Sequence, residues 1–181
     1  MSQPMTNYTA QKTIAKQKRW AFAAWSVTFS IALAWIFLIV SAPVAKAADF
    51  SNYANPIYKF FSYLCHQIPE RSFYFDGFPL AVCARCFGFY AGFLIGIVIY
   101  PIFRTLYETE PLPRVWLFLA MIPMGVDWSL TFFGIWENTH YSRLMTGLIL
   151  GAACAFFIVP AMVEIGYFLG EKFQKHFHSS R

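Results

Sequence analysis

Four stretches of the chain are long, apolar and almost free of charge: Trp20 to Ala45, Cys86 to Phe103, Val115 to Trp136 and Leu144 to Phe168. A helix needs about 20 such residues to cross the hydrocarbon of a bilayer. Only Asp127 interrupts the third stretch, and the fourth is uncharged up to Glu164. Composition removes the soluble alternative. Of 181 residues, 58% are hydrophobic and 13% are charged, against roughly 25% charged in a soluble domain. A water-soluble domain of this length has too much surface for its volume to hide that apolar load. An ordinary soluble enzyme and a disordered chain are both excluded. The expected fold is an all-α, polytopic bundle of four transmembrane helices, near 20–43, 84–103, 115–136 and 144–169, forming one domain over 20–170. Basic tails at 1–19 and 171–181 flank it, and Pro43, Pro101, Pro111, Pro113 and Pro160 mark helix ends or kinks.

The few charges orient the bundle, because Lys and Arg accumulate on the cytoplasmic side. Lys12, Lys16, Lys18, Arg19, Arg104, Arg114, Lys172, Lys175 and Arg181 fall on one side of a four-span topology. Lys46, Lys59, Arg71, Arg85 and Arg143 fall on the other. Both termini are therefore expected inside, in the inner (plasma) membrane, with segment 44–82 and the short loop 137–143 on the outer face. The net charge of +5 reads as this bias, with membrane lipids as the partner and no nucleic acid. The tails, with His176 and His178, are expected to be solvated and to lean on anionic lipid. A basic start followed by Ala45-Lys46-Ala47 also resembles a signal peptide with its cleavage site. The apolar core is about twice the usual 7–15 residues of such a segment, so a retained anchor is expected. Phe50 to Tyr63, rich in Tyr and Phe, reads as a helix lying at the interface.

Gly88, Gly92 and Gly96 share one face of the second span, and Gly147, Gly151 and Ala155 repeat the pattern in the fourth. Small residues at this spacing let helix backbones approach closely in lipid.

Chemistry concentrates in Cys65-His66-Gln67 and Cys83-Ala84-Arg85-Cys86. Two thiolates at C-x-x-C spacing can share a metal ion. Cys65 with either His66 or His140 completes a Cys3His set suited to tetrahedral zinc, although adjacent Cys65 and His66 would need a contorted backbone to bind together. A redox reading uses the same atoms. At a helix N-terminus, beside Arg85, a thiol is acidified, and the pair would cycle between dithiol and disulfide with Cys65 as exchange partner. This arrangement resembles DsbB-type quinone reductases, which would bring a quinone, but the second pair of loop cysteines those proteins use is missing here. A static disulfide is the third reading, since an extracytoplasmic face favours disulfides. Cys154, inside the fourth span, is expected to pack as a small apolar side chain.

A carboxylate in hydrocarbon must face inward and find a partner. Asp127 is expected about 14 Å below the outer end of its span, with Arg85, Arg143, Asn138 and Thr146 converging toward it. One reading is an ion pair that ties helices. The other is a polar pocket, with Asp127 as base or proton carrier and the arginines binding an anionic group. Glu70, in a turn made by Pro69, is a candidate base beside a metal-bound water. The candidate set is thus Asp127, Glu70 and Arg143 for catalysis, Arg71, Arg85, Asn138 and Thr146 for substrate, and Cys65, Cys83, Cys86 with His66 or His140 for metal.

Cys65-His66-Gln67, Pro69-Glu70-Arg71-Ser72 and Cys83, Arg85, Cys86, Gly88, Tyr90 and Gly92 resemble the signature of an uncharacterised prokaryotic family of small membrane proteins. Asp127, Asn138, Arg143, Thr146 and Gly147 resemble its second motif, so the likeness covers roughly residues 55–155. It implies a multispan membrane protein and brings no activity with it. No P-loop, dinucleotide fingerprint or serine-nucleophile elbow points to another enzyme class. The expected function is a metal-dependent enzyme or binder acting on a lipid-linked or anionic group. A quinone-coupled thiol oxidoreductase and a non-catalytic scaffold are the alternatives.

Overall fold

The structure, a computed structural model, describes the backbone of residues 4–179 and the side chains of residues 14–170 and Lys172. It is all-α apart from one small hairpin, and four of its helices are long and apolar enough to cross a membrane. Helix α1 spans Pro4–Ala47 and α2 spans Ser51–Ser62. A 3-10 turn at Pro69–Arg71 and a hairpin of β1 (Tyr74–Phe75) and β2 (Phe78–Pro79) lead into α3 (Ala84–Phe103). Helices α4 (Val115–Phe132) and α5 (His140–Ser179) complete the chain. The side chains of Lys12, Lys175, His176, His178 and Arg181 lie outside the described side chains.

Several helix ends differ from the sequence reading. Among the described residues helix runs from Pro4 and persists to Ser179, so the described parts of both basic segments extend α1 and α5 as helix. Helix α4 stops at Phe132, four residues before Trp136. Gly134 adopts φ +68 there, and the N–H groups of Gly134 and Ile135 return to the carbonyls of Thr131 and Leu130. Glycine at that position closes a helix because it has no Cβ to clash in the left-handed region. Helix α5 starts at His140 rather than Leu144, because Thr139 caps it: its Oγ1 accepts the Ser142 N–H at 3.1 Å.

Helices α3 and α5 form the most extensive helix pair, and the small residues are the reason. A Cβ on Gly92 would lie 2.7 Å from the Leu148 Cα, and one on Gly88 3.0 Å from the Leu144 Cα. From the other side, Gly147 and Gly151 face the backbone of Arg85, Phe89 and Phe93. Lower down, Gly96 meets Ala152 and Ala155. Helix α1 packs on both α3 and α5, and Gly166 and Gly170 receive Ala24 and Trp20. Among the described residues, α4 makes extended contact with α5 alone, and Ala120 is its single buried residue. Large apolar side chains such as Phe37, Ile95, Ile102, Phe118 and Ile122 are exposed on the flanks, as in a bundle surrounded by lipid.

With four spans, the start of α1 and the end of α5 lie at one end of the bundle. The opposite end is covered by α2, the hairpin and the α4–α5 loop. Helix α2 is the expected interfacial helix. It buries Ala54 and Phe61, with Phe60 and Phe61 set edge-on against Trp35 of α1. The two loop regions touch there, as the Phe73 ring lies 5.7 Å from His140 and 6.4 Å from Tyr141.

Candidate functional site

Cys83 is the residue that caps α3. Its backbone is extended (φ −68, ψ 161), and the helix starts at Ala84. One turn later Cys86 brings its sulfur to 3.5 Å from Cys83 Sγ. The third sulfur comes from a distant part of the sequence. The Cys65 N–H bonds to the Phe61 carbonyl at the end of α2, and Cys65 Sγ accepts the Cys83 N–H at 3.2 Å. The three sulfurs lie within 4.8 Å of one another.

Gln67 holds the Cys65 segment in place. It sits at φ +49, a region that disfavours L side chains. Its side-chain amide donates to the carbonyls of Tyr58 (2.8 Å) and Ala81 (2.7 Å), tying α2 to the loop that leads into Cys83. The Tyr58 hydroxyl donates to the Pro79 carbonyl at 2.5 Å, and burial pushes its pKa up to about 12. Ser72, 1% exposed, donates to the Ile68 carbonyl and closes the turn. The sequence alone assigns Gln67 and Ser72 no role and reads Tyr58 only as one aromatic of the interfacial helix. The signal available was the place of Gln67 and Ser72 inside the quoted motif.

The Cys83 thiol is held well below its ordinary value. Hydrogen bonding with the Cys65 sulfur contributes most, then Cys86, while burial opposes them and the Arg85 and Cys86 amides at the helix start assist. The neighbourhood of Cys65 is apolar, with Ile39, Ala42, Phe61, Leu80, Ala81 and Val82 packed around it.

The histidines stand apart from this cluster. Cys65 is buried and His66 is exposed, so the two neighbours point different ways. His140 packs its ring beside Phe73 at the start of α5. Among the described residues, no histidine nitrogen or carboxylate oxygen joins the three sulfurs at that range. Glu70 is exposed in the 3-10 turn. Cys154 lies deeper, in the wall of an apolar pocket of about 470 Å³ that Trp35, Phe89, Tyr90 and Phe93 also line.

A second polar group lies on the α4 flank. Asp127 Oδ2 pairs with Arg85 at 2.6 Å and accepts the Asn138 side-chain amide at 2.5 Å. The same amide donates to the Asp127 carbonyl at 2.8 Å. Because α4 ends early, Asp127 is only five residues from its helix end, about 8 Å of rise instead of 14 Å. Arg143 lies in the electrostatic field of Arg71, Arg85, Asp127 and Cys83. Thr146 is buried, but its hydroxyl returns to the Ser142 and Arg143 carbonyls of its own helix. Arg85 Nε and Asn138 Oδ1 are buried without partners.

Arg85 therefore links the two groups, since it lies between the cysteines in sequence and pairs with Asp127 in space. Residues 65–157, which carry nearly all of this constellation, match the model of a family described as predicted membrane protein (DUF2085). The chain belongs to that family. It is 36% identical over 146 residues to the uncharacterized protein MJ1492 of Methanocaldococcus jannaschii, covering 78% of this chain and 93% of the relative. An uncharacterized protein of Methanothermobacter thermautotrophicus is 33% identical over 97 residues, covering 52% of this chain and 84% of the relative. No solved structure matches. The family match of 65–157 begins ten residues later than the likeness expected over 55–155, so α1 and α2 lie outside it.

Proposed function

We propose that the protein holds a zinc ion on Cys65, Cys83 and Cys86 at the outer face of the inner (plasma) membrane. There it serves as a metal-dependent enzyme or binder for a lipid-linked or otherwise anionic group. The convergence of the three sulfurs carries this reading. Zinc–thiolate bonds of about 2.3 Å in tetrahedral array put ligand sulfurs about 3.8 Å apart. The Cys83–Cys86 separation of 3.5 Å is close to that value. Three protein ligands with a fourth position left to water or substrate is the pattern of catalytic zinc rather than of closed structural zinc. Arg71, Arg85 and Arg143 supply positive charge beside it, and Asp127 is the nearby carboxylate able to carry a proton. His66 or His140 would have to come nearer to the sulfurs to become the fourth ligand.

The lowered Cys83 thiol and the apolar pocket walled by Trp35 and Tyr90 favour a second reading. A dithiol at Cys83 and Cys86 would form a disulfide, passing two electrons and two protons to a quinone that leaves as quinol. Metal analysis beside thiol titration separates the readings. About one zinc per chain, lost in Cys83→Ser, is the expected result. Metal-free protein with a reversible Cys83–Cys86 disulfide would replace it with the redox reading. Metal-free protein with an inert disulfide would leave a scaffold.

A further inference from the structure

We infer that Arg71, Arg85 and Arg143 form a subsite for a phosphate monoester at the mouth of the bundle, next to the thiol cluster. The inference names the charged group of the proposed substrate, and it rests on the metal reading only for that group's being a substrate rather than a tightly held lipid.

The fold builds the cluster from three separate elements. Arg85 begins α3, Arg143 lies in the first turn of α5, and Arg71 closes the 3-10 turn after α2. The close approach of α3 and α5 fixes the first two. A Cβ on Gly147, one turn beyond Arg143, would run into the Arg85 carbonyl, so no side chain separates these helix starts. Phe73, two residues after Arg71, sets its ring 5.7 Å from His140, which brings the Arg71 turn to the start of α5, and Arg143 is an electrostatic neighbour of both Arg71 and Arg85.

The charges in this cluster do not balance. Asp127 neutralises Arg85 at 2.6 Å, and among the described residues no carboxylate lies within ion-pair distance of Arg71 or Arg143. Three guanidinium groups thus share one carboxylate, Asp127, which pairs directly with Arg85 and reaches Arg143 only through space. Guanidinium forks match phosphate oxygens geometrically, and a phosphate monoester carries nearly two negative charges at neutral pH. Asp127 has a separate part. It takes up the charge of Arg85 and, with Asn138, fixes that side chain, leaving Arg71 and Arg143 as the accessible pair.

The phosphate could belong to a membrane lipid headgroup or to a small soluble molecule, and the test separates these sources. The full chain is reconstituted in phosphatidylcholine nanodiscs and its thermal midpoint is titrated with inorganic phosphate. The measurement is then repeated in nanodiscs containing phosphatidate. A ligand that binds the folded state raises the midpoint in proportion to the logarithm of its concentration. A rise with phosphatidate alone identifies a lipid headgroup, and a rise with inorganic phosphate identifies a soluble source. In either case Arg143→Gln should require about tenfold more ligand for the same rise, as expected for loss of a charged hydrogen-bonding group. Arg71→Gln, in an exposed turn where folding is not at stake, should shift the titration in the same direction. No rise with either ligand, or variants that titrate like the wild type, would overturn the inference. Zinc content is read in the same samples. Zinc retained without a phosphate response rejects the phosphate subsite alone, and a phosphate response without zinc rejects the metal reading alone.

Discussion

Along α3 and α5 the backbones touch, whereas α4 stands off and is held by side chains. The first contact uses glycine on both partners, with Gly88 and Gly92 against Leu144 and Leu148 and Gly147 and Gly151 against Arg85 and Phe89. The second rests on Asp127, which reaches Arg85 of α3 and Asn138 of the following loop, while α4 buries only Ala120. Lipid tails are as apolar as leucine, so burying apolar surface between helices gains little, and close packing or polar contacts must do the holding. At these glycines backbone meets backbone, with no side chain between the helices to give way. This seam therefore fixes the start of α3, where Cys83, Arg85 and Cys86 sit, relative to the start of α5, where Arg143 sits. Besides its contact with α5, the α4 attachment uses one carboxylate, and that carboxylate belongs to the candidate site.

Adding a single methyl to the seam should produce the largest effect. In Gly151→Ala the new Cβ would meet the Phe89 carbonyl and lie 2.9 Å from the Phe93 nitrogen, both fixed backbone atoms. The helices would have to separate along several turns. Destabilisation should reach or exceed the top of the about 1–3 kcal/mol range for overpacking a core. Thermal unfolding in detergent measures it. Zinc binding should fall as well, because Cys83 and Cys86 ride on α3. A Gly151→Ala protein as stable as the wild type would show that the seam is not the rigid frame of the bundle.

Breaking the polar attachment should cost less and act locally. Asp127→Asn keeps the shape and a hydrogen-bonding oxygen but leaves Arg85 without its counter-charge. Loss of one partner from a buried pair costs about 3–5 kcal/mol. Here Arg85 and Asp127 remain 24% and 13% exposed, so about 2 kcal/mol is the expected loss once solvent screening is included. Proteolysis in the loops on either side of α4 should quicken, while the α3–α5 pair stays protected. The double variant Arg85→Gln with Asp127→Asn should recover part of the loss, which would assign it to the pair. Uniform loosening of all helices would instead place Asp127 in the central frame.

The seam was readable in the sequence because glycines four apart fall on one face of a helix whatever else the chain does. The pairing of Cys83 with Cys86 was equally local. The position of Cys65 was not, since it depends on where α2 ends, on the turn through Pro69–Arg71 and on Gln67 bonding to Tyr58 and Ala81 across 9 and 14 residues. Composition also suggested histidine ligands, but it carries no direction, and His66 is exposed beside a buried Cys65. The depth of Asp127 was misjudged for a similarly small reason. Gly134 closes α4 after Phe132, where hydropathy alone carried the span to Trp136. Thr139, likewise, starts α5 four residues early by capping it.

The smallest effect should come from the same substitution made outside the seam. Gly125 lies on α4, one turn before Ser129, and a Cβ built on it meets nothing within 4 Å. Gly125→Ala therefore adds a methyl to the lipid-facing side of the helix without displacing a neighbour. In an exposed helix interior, alanine is favoured over glycine by about 1 kcal/mol. Part of that advantage comes from limiting the unfolded chain, and it should be smaller where lipid already keeps the segment helical. The expected result is a thermal midpoint equal to that of the wild type or slightly above it, with zinc content unchanged. Paired with Gly151→Ala, this substitution holds chemistry and helix type constant and changes only the neighbour. If both variants lost stability equally, the loss would belong to glycine in a membrane helix generally. A loss confined to Gly151→Ala places it in the contact between backbones, and so in the frame that sets the thiols beside the arginines.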